Sequence, residues 1–419
     1  MPGVVCLGEA MALLVPLPAA MPADAVSSHA PSPSAPPAEP GVPPEPAHER
    51  APEATAADPH ASIPDPSSLR DASPPPDQSR SDRFRSDPSR PHQSRPGQSR
   101  FPDFPHLDGP VISPQLIPQF STEVGGAEAN TACMLAALGV PAAWVSRVGD
   151  DGFGRLILAT LRAHGVDVGA VETDPHRPTG LYLKEIGADS TRLRYYRAGS
   201  AASAMGPAMA RHPVIQGADV LHLSGITPAL SDSCAALIDA LLGERRAGRR
   251  TSFDVNWRPA LWRGSDPQLL LGLARRADLV FVGADEAEAA WGASEPDQIR
   301  DLLPEPEVVV VKQGAEGSTA FRGVSRVHVP ALAVDVAEPT GAGDAFAAGF
   351  LAAAPGFPDA ASLRSRLRVG TLAAGAVLRV RGDLAPPPAP DVIEAYLALD
   401  DAAWRRASTR PDESAAEAA

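Results

Sequence analysis

Between Val220 and Lys312 the chain alternates short runs built on large apolar and β-branched residues with amphipathic stretches. The short runs are Val220–Leu223, Thr251–Val255, Leu279–Val282 and Val308–Lys312. The amphipathic stretches between them are Ser231–Arg246, Pro267–Arg276 and Asp285–Trp291. A strand with one wet face alternates polar and apolar residues, whereas one that is apolar throughout is covered on both sides. Helical connections supply those covers. The pattern therefore predicts an α/β fold whose core is a three-layer α/β/α arrangement with a mainly parallel sheet. Val4–Leu7, ending in Gly8-Glu9, reads as one more buried strand, and Ala143–Val148 as another. Helices are predicted at Ala127–Leu138, Gly152–His164, Gly343–Ala354, Ala361–Leu378 and Pro390–Leu399. Leu181–Ile186 and Leu193–Arg197 do alternate, as the strands of a hairpin. In a parallel sheet ligands sit beyond the carboxyl ends of the strands, so the residues just after strands are the candidates for chemistry.

Residues 16–118 break this pattern. They hold 26 of the 47 prolines, recurrent Ser-Arg steps and few large apolar side chains. Burial there cannot offset the entropy of ordering, and the stretch reads as a long disordered Pro-rich insertion. Residues 403–419, polar and Ala-rich, read as a disordered tail. The domain itself is expected in 1–15 and 119–402.

The formal net charge of -14 opposes a role in binding nucleic acid through its phosphates. Lys184 and Lys312 are the sole lysines, so no Gly-Lys step exists and a Walker-A loop is excluded. Cys6, Cys133 and Cys234 are too scattered for a disulfide framework or a zinc site, which fits a reducing cytosol. No apolar run reaches the ~18 residues of a membrane span. The apolar N-terminus has no Lys or Arg before Arg50 and contains Glu9, unlike a secretion signal. A cytoplasmic protein without membrane partners is expected.

Glu338-Pro339-Thr340-Gly341-Ala342-Gly343-Asp344-Ala345-Phe346 follows an expected strand around Val329–Val336 and opens a helix. Gly341, Ala342 and Gly343 let backbone N–H groups converge at a helix N-terminus, where the dipole favours an anion. Asp344 in the same turn can take a proton from a hydroxyl while those N–H groups hold a phosphoryl group. A plain acidic cap is the competing reading. Gly125-Gly126-Ala127-Glu128-Ala129-Asn130 precedes another helix. Its glycines allow close approach of a ligand, and Asn130 offers a donor and an acceptor to a polyhydroxylated one. Gly149-Asp150-Asp151-Gly152-Phe153-Gly154 joins a strand to a helix. Lys312-Gln313-Gly314-Ala315-Glu316-Gly317-Ser318 is a glycine loop after a strand, fit to run under a nucleotide or to be an ordinary turn.

Together and in this order, the four motifs resemble the phosphofructokinase-B, or ribokinase-like, sugar kinase family. The resemblance covers residues 3–15 and about 119–400. It implies a ribokinase-like fold with a small β-sheet lid, formed by segments near 119–125 and 181–197, and a kinase that uses ATP and Mg2+. It also implies Asp344 as catalytic base, Gly341, Ala342 and Gly343 as anion hole, and Lys312, Gly314, Gly317, Gly341 and Gly343 as contacts to ATP. Asp285 and Glu288 take the family's Asn-x-x-Glu position, which organises hydrated magnesium, and Asp285 departs from the usual Asn. Glu338-Pro339 replaces the usual Asp-Thr, which weakens the case for a monovalent-cation site. The family also admits a homo-oligomer built through the lid.

Arg197 and Arg258 both follow strands and are expected to face the cleft. Two guanidinium groups there suit a carboxylate on the ligand; pairing with acidic residues of the protein or with ATP is the alternative. Gly180-Leu181-Tyr182, Tyr195-Tyr196-Arg197-x-x-Ser200-Ala201 and Asp254-x-Asn256-x-Arg258-Pro259-x-Leu261-Trp262 look most like 2-keto-3-deoxygluconate kinases. Gly125, Gly126, Asn130, Tyr182, Tyr195, Arg197, Asn256, Arg258 and Asp344 are then the implied substrate contacts. A fructokinase or other neutral-sugar kinase is the nearest alternative. A sugar-sensing scaffold that has lost activity is a further one.

Overall fold

The computed structural model describes residues 3–16, 120–186, 191–244, 246–353 and 356–407. The strands are β1 (Val4–Leu7), β2 (Met11–Pro16), β3 (Phe120–Gly125), β4 (Ala142–Val145), β5 (Arg147–Gly149), β6 (Glu172–Asp174), β7 (Leu181–Ile186), β8 (Thr191–Tyr196), β9 (Val220–Ser224), β10 (Arg250–Asp254), β11 (Leu279–Gly283), β12 (Val308–Lys312), β13 (Ser318–Arg322) and β14 (Ser325–Val329). The helices are α1 (Ala127–Ala137), α2 (Gly152–Ala163), α3 (Pro213–Gln216), α4 (Asp232–Gly243), α5 (Pro267–Ala274), α6 (Ala284–Trp291), α7 (Pro296–Leu302), α8 (Ala342–Ala352), α9 (Leu363–Val377), α10 (Pro390–Leu397) and α11 (Asp401–Arg406).

The main sheet runs β14-β13-β12-β11-β10-β9-β1-β4. It is parallel from β12 to β4, and β13 and β14 add an antiparallel hairpin at one edge. Alternation of side chains explains why whole strands are apolar. In β1, Val5 and Leu7 join the layer that contains α4, α5 and α7, whereas Val4 and Cys6 join the layer of α1, α2 and α8. Both layers exclude water, and all four residues of β1 are buried and apolar. Phe281 of β11 meets Phe346 and Phe350 of α8 edge-on, with ring centroids 6.4 and 5.3 Å apart. Each such side chain contributes about 1.5–3 kcal/mol by burial.

The lid is a second, four-stranded sheet of order β3-β2-β7-β8. Sequence reading places β3, β7 and β8 but misses β2, because only Gly8-Glu9-Ala10 separate Met11–Pro16 from β1 and the expected insertion follows directly after it. Met11, Leu13 and Val15 of β2 in fact cluster with Tyr182 under the lid. The expected strand Ala143–Val148 is two, β4 and β5, broken at Ser146. The expected strand Val329–Val336 ends at Val329, and residues 330–341 form a loop. α7 and the β13–β14 hairpin were not foreseen.

The expected tail at 403–419 begins too early. α11 reaches Arg406, and Trp404 is buried against Tyr396. Of the expected insertion, Pro16 belongs to β2. The rest of 16–118, and 408–419, lie outside the described residues. Among the described residues, no helix is long and apolar enough to cross a membrane.

Candidate active site

The carboxyl ends of the core strands and the inner face of the lid enclose a cleft of about 1100 Å³. At its centre α8 begins. Gly341 precedes it in the left-handed region, at φ 85°, and a Cβ there would lie 2.8 Å from the carbonyl oxygen of Asp383. Glycine is thus required twice, for conformation and for space. The first turn of α8 leaves N–H groups without intrahelical acceptors, aimed into the cleft with the positive end of the dipole. Gly126 plays the corresponding part before α1, at φ 144°, where a side chain would overlap the backbone of Glu9 and Ala10.

Asp344 is buried in that first turn. Asn130, from α1, donates its side-chain N–H to Oδ2 at 2.9 Å, and Asn256 donates to Oδ1 at 3.4 Å. Asn256 has φ 42°, the one non-glycine residue in the left-handed region among those described. Asn tolerates this conformation better than other side chains. Burial pushes the Asp344 carboxyl up to about 6; the Asn130 bond opposes this and Asp254 adds to it. A carboxylate with that proton affinity is ionised at neutral pH yet basic enough to accept a proton in a transition state.

The cations of the cleft are each met by a carboxylate of the protein. Lys312 donates to both oxygens of Asp254, at 3.0 and 2.8 Å. Burial opposes its charge, but Asp254 and Glu286 more than compensate and hold it protonated. Arg197 pairs with Glu9, whose other oxygen accepts from Ser200 at 2.9 Å. Arg258 is 3.7 Å from Glu286 and remains 42 % exposed. Tyr182 and Tyr195 stack, with centroids 5.6 Å apart, and the Tyr182 hydroxyl donates to Asp383 at 2.5 Å.

Of the residues expected from sequence, Gly126, Asn130, Tyr182, Tyr195, Arg197, Asn256, Arg258, Asp285, Lys312, Gly314, Gly317, Gly341, Ala342, Gly343 and Asp344 line one cleft. Two do not. Gly125 lies behind it, at the end of β3, where a Cβ would overlap the Tyr182 hydroxyl. Glu288 is exposed and outside the lining, whereas Glu286 is inside it, with its carboxylate accepting from the Gly283 N–H at 2.8 Å. The cleft lies beyond the N-terminus of α6, and at ~1.5 Å per residue Glu288 sits ~3 Å further down the axis than Glu286. The carboxylate pair facing the cleft is Asp285 with Glu286.

For Arg197 the structure shows pairing with an acidic residue of the protein, Glu9, which lies 188 positions away in sequence. Sequence reading also missed Asp383 and the buried Glu128, whose carboxylate accepts from Ser224 and Thr227 at 2.6 and 2.9 Å. Two carboxylates beside an anion-binding loop fit Mg2+, which is held by one or two protein carboxylates together with phosphate oxygens and water.

The pfkB family of carbohydrate kinases matches residues 108–390. A 2-dehydro-3-deoxygluconokinase of Thermoproteus tenax is 36% identical over 292 residues, which is 66% of this chain and 86% of the relative. Fructokinase-1 of Oryza sativa is 35% identical over 240 residues, 56% of this chain and 74% of the relative. A fructokinase double mutant from Vibrio cholerae, solved with fructose, ADP and potassium ion bound, superposes with a TM-score of 0.58 at 26% identity, over 66% of this chain and 91% of that one. The match takes in β3, β7 and β8 of the lid and the Gly341–Asp344 turn, and with it the chain belongs to the pfkB family of carbohydrate kinases.

Proposed function

We propose that this carbohydrate kinase transfers the γ-phosphoryl group of ATP to the terminal hydroxyl of a 2-keto-3-deoxy sugar acid, with 2-keto-3-deoxygluconate as the leading substrate. The supporting observation is Arg258. It stands half-exposed in the cleft, its pairing with Glu286 is long, and it neighbours Tyr195. A guanidinium held this loosely can turn its fork to a ligand carboxylate, the geometry it matches best. The 2-dehydro-3-deoxygluconokinase relative, matched over most of its length, supports the same class.

Asp344 accepts the proton of the attacking hydroxyl through an oxygen already oriented by Asn130 or Asn256. The N–H groups of the Gly341–Gly343 turn stabilise the charge on the transferring phosphoryl group. Gly314 and Gly317, in the loop after β12, line the cleft where the nucleotide would bind. Asp285 and Glu286 would hold Mg2+, which neutralises phosphate charge when bound. The lid excludes water, the competing acceptor.

The neutral-sugar reading has its own observation, the Glu9 partner of Arg197, which leaves one arginine fewer for an acid. A panel of sugar acids and ketoses assayed for ADP release separates the two. Preference for 2-keto-3-deoxygluconate over fructose is the expected outcome, and preference for fructose overturns the acid reading.

A further inference from the structure

Both lysines of a chain that otherwise uses arginine pair with a carboxylate of the protein. Lys312 lies on the cleft floor. Lys184 lies under the lid, on the same face of β7 as Tyr182, and the sugar-binding reading above gives it no task. Its side chain is 1% exposed, and that of its partner Asp383 is 3% exposed. The ammonium donates to Asp383 Oδ1 at 3.0 Å and to the carbonyl of Arg381 at 2.8 Å. It therefore grips both ends of the tripeptide Arg381-Gly382-Asp383, which follows α9. The other oxygen of Asp383 takes the Tyr182 hydroxyl, and its main-chain carbonyl abuts Gly341. One lid strand is thus tied, through three residues, to the back of the turn that opens α8. A guanidinium is a wide, planar fork that suits a single carboxylate, whereas an ammonium has three rotatable donors to divide between a carboxylate and a carbonyl.

We propose that Lys184 is a positioning residue for the kinase reaction. It fixes the Asp383 carboxylate and the Tyr182 ring at the sugar end of the cleft. The inference rests on the carbohydrate kinase activity but not on which sugar is the substrate. Removing either charge of this pair leaves the other buried and alone, while removing both leaves none.

The test is steady-state kinetics of the full chain and of the Lys184→Met, Asp383→Asn and double variants, with whichever sugar the wild type phosphorylates best. Lys184→Met is expected to raise the sugar KM by at least about tenfold and the ATP KM by less than about threefold, as loss of a sugar-side contact requires. The double variant is expected to be no worse than Asp383→Asn, because the two residues act as a unit. Sugar and ATP KM rising together, or penalties that multiply in the double variant, would overturn the proposal. Should Lys184→Met not fold, the comparison of Asp383→Asn with the double variant decides alone: equal sugar kinetics support the role, and a further loss in the double variant refutes it. A wrong substrate class would show in the sugar panel and leave these ratios intact.

Discussion

Asn130 donates its side-chain amide to Oδ2 of Asp344 at 2.9 Å, across 214 residues of sequence. This bond stabilises the ionised carboxylate and so works against burial, which raises the Asp344 proton affinity to about 6. A base acts when deprotonated. As pH falls through about 6, Asp344 takes up its proton and kcat/KM is expected to fall with it. Asn130→Ala removes the opposing bond, so the acid limb should move to higher pH. Profiles of wild type and variant that share one acid limb would exclude Asp344 as the group observed.

Asp344→Asn tests the same group by chemistry. The amide keeps the size of the side chain but cannot accept the proton. Turnover should drop by ~10²–10⁴, the usual cost of losing a general base, with the fold and nucleotide affinity retained. Retention of more than about a tenth of wild-type turnover would refute the assignment at that scale.

The parallel core was legible because β11 and β12 are almost wholly apolar and the strands from β9 to β12 alternate with helix-length amphipathic stretches, a pattern that few other folds demand. The Gly341–Asp344 turn was legible because Gly-Ala-Gly-Asp opening a helix states its own geometry. The Asn-x-x-Glu position implies Glu288, whereas Glu286 lines the cleft, a difference set by the direction of the helix axis that a sequence does not show. Glu9, Asp383 and Lys184 were silent for a different reason. Each pairs with a residue distant in the chain, and an ion pair leaves no periodicity. β2 was hidden because only Gly8-Glu9-Ala10 part it from β1, and so short a break does not announce a change of sheet.

Arg197 and Arg258 should respond differently to replacement by Met. Arg197 and Glu9 are buried together, so Arg197→Met strands a buried carboxylate. The expected loss of stability is ~3–5 kcal/mol, read as a fall in denaturation midpoint. Arg258 is 42 % exposed, and its loss should barely change stability. It should instead reduce the kcat/KM ratio of acid to neutral sugar by at least about tenfold, since an unpaired ligand carboxylate costs ~2–5 kcal/mol. Equal ratios before and after Arg258→Met would assign that arginine to ATP or to structure.

Glu128 makes stability depend on pH. Burial raises its carboxyl from 4.5 to about 7, against hydrogen bonds from Ser224 and Thr227. Between those values the folded state binds more protons than the unfolded one. Stability therefore falls as pH rises through this window, and the penalty is complete above about 7. Glu128→Gln is neutral at every pH and keeps a carbonyl for the two hydroxyls. Its denaturation midpoint relative to wild type should be higher at pH 8 than at pH 5, by on the order of 2–3 kcal/mol in stability. A difference that does not change with pH would show that Glu128 is not the titrating group.

Trp404 carries the last prediction. It is 1% exposed, its indole N–H donates to the carbonyl of Pro330 at 2.9 Å, and its ring meets Tyr396 edge-on with centroids 6.0 Å apart. The guanidinium of Arg368 lies over it, 4.7 Å from the centroid. Pro330 is the first residue of the loop that runs from β14 to the Gly341 turn. α11 thus fastens the start of that loop to α9 and α10, although its sequence reads as a polar tail. Trp404→Ala should cost ~3–5 kcal/mol, the range for deleting a buried aromatic side chain. A chain cut after Ala402 should lose stability on the same scale, relative to one cut after Ala407, because only the second keeps the indole in place. Thermal denaturation of the two truncated chains makes the comparison. Equal midpoints would show that α11 contributes nothing to the core, and a lower midpoint for the shorter chain would set the end of the folded domain beyond Trp404.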